Sequence, residues 1–195
     1  MSYIRCDAIE KMKTSLCSPF ITIIGRSGAG IPVNRIEAIV EFDNEAAKNI
    51  FRNGLTSGKV VKTLLDESKI KSLVILDSGE IHPSTFHYYT LKKRCSPYIT
   101  LITNVGCDAG GINIDKVNLI VNYKIDNSQS VINELLSQYN IYYIYEDMFR
   151  TKCLLVMDSH TVYPCTFNFS TIRRRIHQIR GDENVPETEE DDDEE

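Results

Sequence analysis

KSLVILDSGEIHPSTFHYYTLKKR, residues 71–94, returns 81 positions later as KCLLVMDSHTVYPCTFNFSTIRRR, residues 152–175. Each copy opens on a lysine and an apolar run, turns at Asp-Ser, alternates into Pro-x-Thr-Phe and closes on three basic residues. Holding that offset without a gap lays Ile21–Arg94 over Ile102–Arg175, and 18 positions in the overlay are identical. Gly25/Gly106, Gly30/Gly111, Asp77/Asp158, Pro83/Pro164, Phe86/Phe167 and Arg94/Arg175 are among them. An ungapped match of this length reads as a tandem duplication, and a repeat decides the fold before any local reading does.

Working outward, each copy carries the same succession of elements. FITII (20–24) and LITNV (101–105) read as strands that end at glycine, followed by the loops GRSGAG (25–30) and GCDAGG (106–111). PVNRIEAIVEF (32–42) and NIDKVNLIVNY (113–123) are long β-rich runs. Asn44 and Asp126 have N-cap chemistry for the helical segments that follow, EAAKNIFRNGL and NSQSVINELLSQY. Ile50, Phe51 and Leu55 form an apolar face on the first, and Val131, Ile132, Leu135 and Leu136 on the second. Short strands around the Asp-Ser turn come next, then a last helix or turn with Leu91 or Ile172 beside the basic cluster. The expected fold is α+β: two tandem copies of a small module, each with a mostly antiparallel sheet and one main helix. Connections this short do not suit parallel crossovers. The expected boundaries are an N-terminal extension at 1–19, modules at 20–95 and 101–176, and an acidic tail at 182–195. Within the extension, residues 7–15 read as a short helix that covers an edge of the first module.

Composition excludes several classes. With 42% hydrophobic residues the chain has the make-up of a globular protein, and no apolar run nears the roughly 20 residues of a membrane span. The N-terminus mixes acids and bases and lacks a signal-peptide core. Six cysteines form no C-x-x-C pair, so reduced thiols and a cytoplasmic location are expected. The formal charge of −5 conceals an asymmetry. DENVPETEEDDDEE (182–195) holds ten acids and no base, leaving 22 basic against 17 acidic residues in the body, near +5. The tail has too little apolar surface to offset its ordering entropy and reads as disordered.

Catalytic readings fare poorly. GRSGAG lacks the G-K-[ST] ending of a phosphate-binding loop, and its counterpart carries Asp108, so both read as turns. Asp77-Ser78 and Asp158-Ser159 suit turns between strands. No histidine recurs, since His82, His87 and His160 face Tyr163, Asn168 and Gly79. With no repeated nucleophile–base pair, metal spacing or cofactor loop, the expectation is a protein without catalytic residues, metal, cofactor or small-molecule substrate. The basic residues are more informative. Arg35 matches Lys116, Lys69 matches Arg150, Lys71 matches Lys152, and Lys92–Arg94 match Arg173–Arg175. Sign is kept where identity is not, as phosphate contact requires.

IPVNRIEAIV (31–40), the segment Asn44–Leu55 and IKSLVILDSGEIHPSTFHYYTLKKR (70–94) together resemble the RemA family of small DNA-binding regulators, RemB proteins included. INIDKVNLIV, CLLVMDS and TIRRR are a more drifted copy. The resemblance implies a homo-oligomer, modules assembling into a ring whose basic rim contacts double-stranded DNA. Carried over by position, the DNA-binding residues it implies are Arg35, Lys69 and Lys71, and in the second copy Lys116, Arg150 and Lys152. This chain departs from the family's double arginine, which is Ser68-Lys69 in one copy and Phe149-Arg150 in the other. The alternative is a scaffold that builds rings or filaments without nucleic acid.

Overall fold

The computed structural model describes residues 20–24, 30–63, 66–103, 110–123, 133–134, 137–142 and 150–180. The helix expected at 7–15, most of both glycine-rich loops, the Asp126 cap and the acidic tail lie outside the described residues. The fold is α+β. In chain order the strands are β1 (Phe20–Thr22), β2 (Gly30–Pro32), β3 (Ile36–Glu41), β4 (Ser72–Leu76) and β5 (Ile81–Ser84), then β6 (Leu101–Thr103), β7 (Gly110–Asn113), β8 (Val117–Asn122), β9 (Asn140–Ile141), β10 (Cys153–Met157) and β11 (Thr161–Cys165). The helices are α1 (Glu45–Thr56), α2 (Tyr88–Cys95) and α3 (Phe169–Arg180).

Local chemistry accounts for the boundaries. Asn44 caps α1, its side chain accepting from the Ala47 amide at 2.8 Å, with Glu45 in the first turn where the helix dipole favours an acid. Ala46, Ala47, Ile50 and Phe51 give α1 its buried face. The long β-rich runs are each broken by one 3-10 turn, Val33–Arg35 and Ile114–Lys116, so β2 and β7 stand apart from β3 and β8. The Asp-Ser turns close β4–β5 and β10–β11 on a left-handed residue, Gly79 (φ 78°) or His160 (φ 61°). The shared backbone conformation, more than the side chain, is what recurs there.

Several backbone bonds recur at equivalent positions of the two copies. β3 pairs β4 with a bulge between Ile36 and Ala38, and β8 pairs β10 with a bulge between Val117 and Leu119. The Phe42 amide bonds the Lys71 carbonyl at 2.8 Å, and the Tyr123 amide bonds that of Lys152 at 2.9 Å. Asp77 N to Arg35 O has its counterpart in Asp158 N to Lys116 O. Among the described residues, the sheets are antiparallel except for two short contacts, Val60 beside Ile81 and Ile141 beside Val162, again 81 apart.

One feature breaks the equivalence. β1 and β2 form a two-stranded hairpin of their own, whereas β6 and β7 continue the first copy's sheet in the order β5-β4-β3-β7-β6. β3 is therefore an interior strand and is buried along its whole length. Its bulge sends Ile36 and Ile39 to one face, with Val74, Leu76, Tyr88 and Leu91, and Ala38 and Val40 to the other. That second face joins α1 to Ile112, Ile114, Leu155 and Ile172 of the second copy in a single core. The second copy's own sheet, β8-β10-β11-β9, ends on β8.

Candidate functional site

The junction between the copies is the most constructed part of the molecule. Glu37 sits at the β3 bulge, fully buried, facing the β10–β11 turn. Ser159 Oγ donates to Glu37 Oε2, Thr161 Oγ1 donates to Oε1, and Tyr163 Oη donates to Oε1 at 2.9 Å. Burial pushes the Glu37 carboxyl upward and the three donors pull it back, leaving it raised. The same burial, with Glu37 alongside, holds the Tyr163 phenol well above its ordinary range. Asn113 Nδ2 donates to the Ile36 carbonyl at 2.9 Å, tying β7 to the start of β3.

Asp77 is a second tie. Arg35 Nε donates to its Oδ1 at 3.2 Å and Lys116 Nζ to its Oδ2 at 2.9 Å, so one carboxylate holds a cation from each copy. Arg35 also lies 3.7 Å from Glu80. The turn reading of Asp77 holds for its backbone, but its side chain is used on these two cations.

The six basic residues singled out from sequence fall into separate groups. Arg35 and Lys116 meet on Asp77, at the end of β4. Lys71 and Lys152 stand before the first residues of β4 and β10, and Lys69 and Arg150 two residues earlier. Six residue steps at about 3.3 Å each put Lys71 roughly 20 Å from Asp77. Lys69 is two-thirds exposed and pairs with Asp66 at 3.1 Å. Lys71 and Arg150 are exposed and Lys152 half-buried.

The basic clusters at 92–94 and 173–175 lie on α2 and α3. Arg94 stacks over Phe86 at 4.0 Å and Arg175 over Phe167 at 4.3 Å, which accounts for the identical Phe and Arg positions of the repeat. Arg94 also donates to the Thr22 carbonyl at 2.7 Å, fastening α2 to β1.

In sequence, Ser159 reads as a turn residue and Tyr163 as the counterpart of His82, and Glu37 was not singled out, although a signal was present. A glutamate inside IEAIVE is a carboxylate in a run otherwise fit for burial, and a buried charge needs partners. Among the described residues, no group of three His, Cys, Asp or Glu side chains is arranged to hold a metal ion, and no helix is long and apolar enough to cross a membrane. Compared with family models, with curated proteins and with solved structures, the chain matches none of them.

Proposed function

We propose that the protein is a DNA-binding regulatory or architectural protein that works as a ring-like assembly of its repeated module. The observation that carries this reading is the recurrence of cations at one position of the fold. Lys71 and Lys152 have the same backbone bonds in the two copies, each donating to the last residue of the neighbouring strand, Ser84 or Cys165, at 2.8 Å. Lys69 and Arg150 precede them by two residues. A duplex offers phosphates at regular intervals, and a repeated module with a cation pair at a repeated place suits a repeating polyanion. The resemblance to the RemA family points the same way.

A second reading, a scaffold that assembles without nucleic acid, has an observation of its own. Arg35 and Lys116 are both engaged by Asp77, so two of the six charges serve the junction between the copies.

Binding of the full chain to random-sequence duplex at two salt concentrations decides between them. Four phosphate contacts per chain predict a log–log salt slope of roughly −3 to −4. Arg150→Ala or Lys71→Ala weakens binding across sequences and reduces that slope by about 1. Removing residues 182–195 strengthens binding, most at low salt, where a tail of ten acids competes best. An absent or salt-independent response in the full chain and in the tail-less chain favours the scaffold.

A further inference from the structure

The internal junction joins one copy's β7 to the other copy's β3, and among the described residues neither the outer edge of β8 nor the β1–β2 hairpin has the equivalent neighbour. At one end is β8. Its counterpart β3 is covered on its outer edge by β7, with Ala38 opposite Ile112 and Ile39 opposite Gly111. Among the described residues, the outer edge of β8 has no strand beside it. Leu119, the counterpart of fully buried Ala38, is 50% exposed. Asp158, the counterpart of Asp77, is exposed and has no ion pair among the described residues. Among the described residues, the buried members of the core beneath this face are Leu154, Val156 and Val162, whereas its counterpart in the first copy is continuous with the next module.

At the other end is the β1–β2 hairpin. Its counterpart β6–β7 lies in a five-stranded sheet, yet among the described residues β1–β2 pairs with no further strand. Phe20 is 71% exposed, while its counterpart Leu101 packs against the core around Tyr88 and Leu91. Gly30 has no neighbour that requires glycine, its added Cβ meeting nothing closer than 3.5 Å. Gly111 does require it, because a Cβ there would lie 2.6 Å from Tyr88 Oη and 3.2 Å from its ring. His82 Nε2 is buried without a partner, whereas its counterpart Tyr163 bonds the clasping carboxylate.

We infer that the β1–β2 hairpin of a second copy of this chain adds to the outer edge of β8, repeating between molecules the junction that β6–β7 makes with β3 inside one. The register follows from the offset: Ile31 opposite Leu119 and Gly30 opposite Ile120. Phe169, the counterpart of Tyr88, then stands where Gly30 must be small. Asn118, in place of Glu37, faces Ser78, Glu80 and His82, and a carboxamide can accept from His82 while donating to the Glu80 carboxylate, which already accepts from Ser78 Oγ at 2.9 Å. Arg35 of the incoming copy approaches Asp158 as Lys116 approaches Asp77. The fit is less polar-rich than the internal one, since Pro32 replaces Asn113 and has no donor for the neighbouring carbonyl.

The two surfaces differ, so the contact is head-to-tail, and each added chain presents the same open β8 edge to the next. A rotation that closes gives a ring and one that does not gives a filament. Strand addition supplies main-chain bonds along the edge, and Leu119 and Phe20 supply apolar area. The inference rests on the assembly part of the function proposed above and is independent of DNA.

The test uses the full chain without nucleic acid, in sedimentation velocity over a concentration series, with Leu119→Glu and Phe20→Glu as variants. Both positions are exposed in the single chain, so neither change disturbs its core. The wild type is expected to show mass rising with concentration beyond a dimer. Each variant alone is expected to sediment as a single chain, because each has lost one end. Mixed in equal amounts they are expected to form a two-chain complex and nothing larger, since each retains the end the other lacks. A dimer from the mixture also shows that both variants are folded. Variants that assemble as the wild type does would overturn this interface while leaving ring assembly standing. A wild type that stays a single chain throughout would overturn both, and salt-dependent DNA binding would still be measured separately.

Discussion

Ile39 in β3 is fully buried between the β1–β2 hairpin, α2 and β4, whereas its identical counterpart Ile120 in β8 is only half-buried. The two strands share a bulge, a pairing partner and a flanking 3-10 turn, so local sequence does not make the difference. What differs is the neighbour on the outer edge. β3 is sealed by the β6–β7 hairpin of the same chain, whereas no described strand lies on the outer edge of β8. A tandem repeat that exchanges an element between its copies satisfies its internal junction and leaves a matching pair of surfaces at its ends.

Substitutions at equivalent positions break or sharpen that comparison. The largest difference is expected at the shared isoleucine. Ile39→Ala removes three buried carbons from a closed core and should cost about 2–5 kcal/mol in urea denaturation, while Ile120→Ala in dilute solution should cost roughly 1–2 kcal/mol. Equal losses would mean that β8 is as enclosed as β3.

The glycine pair comes next. Gly111→Val drives a side chain into Tyr88 and should cost about 1–3 kcal/mol, by the overpacking that a dense interior resists. At Gly30 an added Cβ meets only ordinary contacts with Phe20 and Ile21, at 3.5 Å or more, and Gly30→Val should stay within about 0.5 kcal/mol of the wild type. Should the two behave alike, Gly30 would owe its identity to something within its own hairpin.

A smaller effect is expected from Glu37 and shows as a pH dependence. Its folded carboxyl is raised, chiefly by burial, above an ordinary value of 4.5. The protonated form is the one the fold favours, so this contribution is complete below 4.5 and is lost as pH rises through the folded value. Glu37→Gln removes that loss. The stability of the wild type minus that of the variant should fall as pH rises through this window, read by denaturation in matched buffers. Asn118→Ala, at the exposed equivalent, should show no such trend. A difference that stays constant with pH would mean the three hydroxyls hold Glu37 ionised without penalty.

Much of the module was legible before any coordinates. Asn44 announces its cap, the Asp-Ser turns announce their hairpins, and the period of the apolar residues separates α1 from the strands. The repeat then carries each assignment to the second copy. The order of strands across the sheet was not legible, because a period-2 pattern says which face a residue takes and nothing about which strand lies beside it. Ile31 and Ile112 are the same residue in the same pattern, yet only β7 lies beside β3. For the same reason, the joining of Lys116 to Asp77 across 39 positions, and of Glu37 to Tyr163 across 126, could not be read from spacing. The basic residues were visible as charges, but their division between a junction and an exposed corner depends on where the strands end.

Amide hydrogen exchange followed along β3 and β8 as the protein is concentrated tests the central claim most directly. β3 amides, sealed by β7 within the chain, should exchange slowly at every concentration. β8 amides that lack a β10 partner should exchange quickly in dilute samples and become protected as concentration rises, together with those of β2. Outer-edge β8 amides that remain fast at concentrations where the protein is associated would contradict the account.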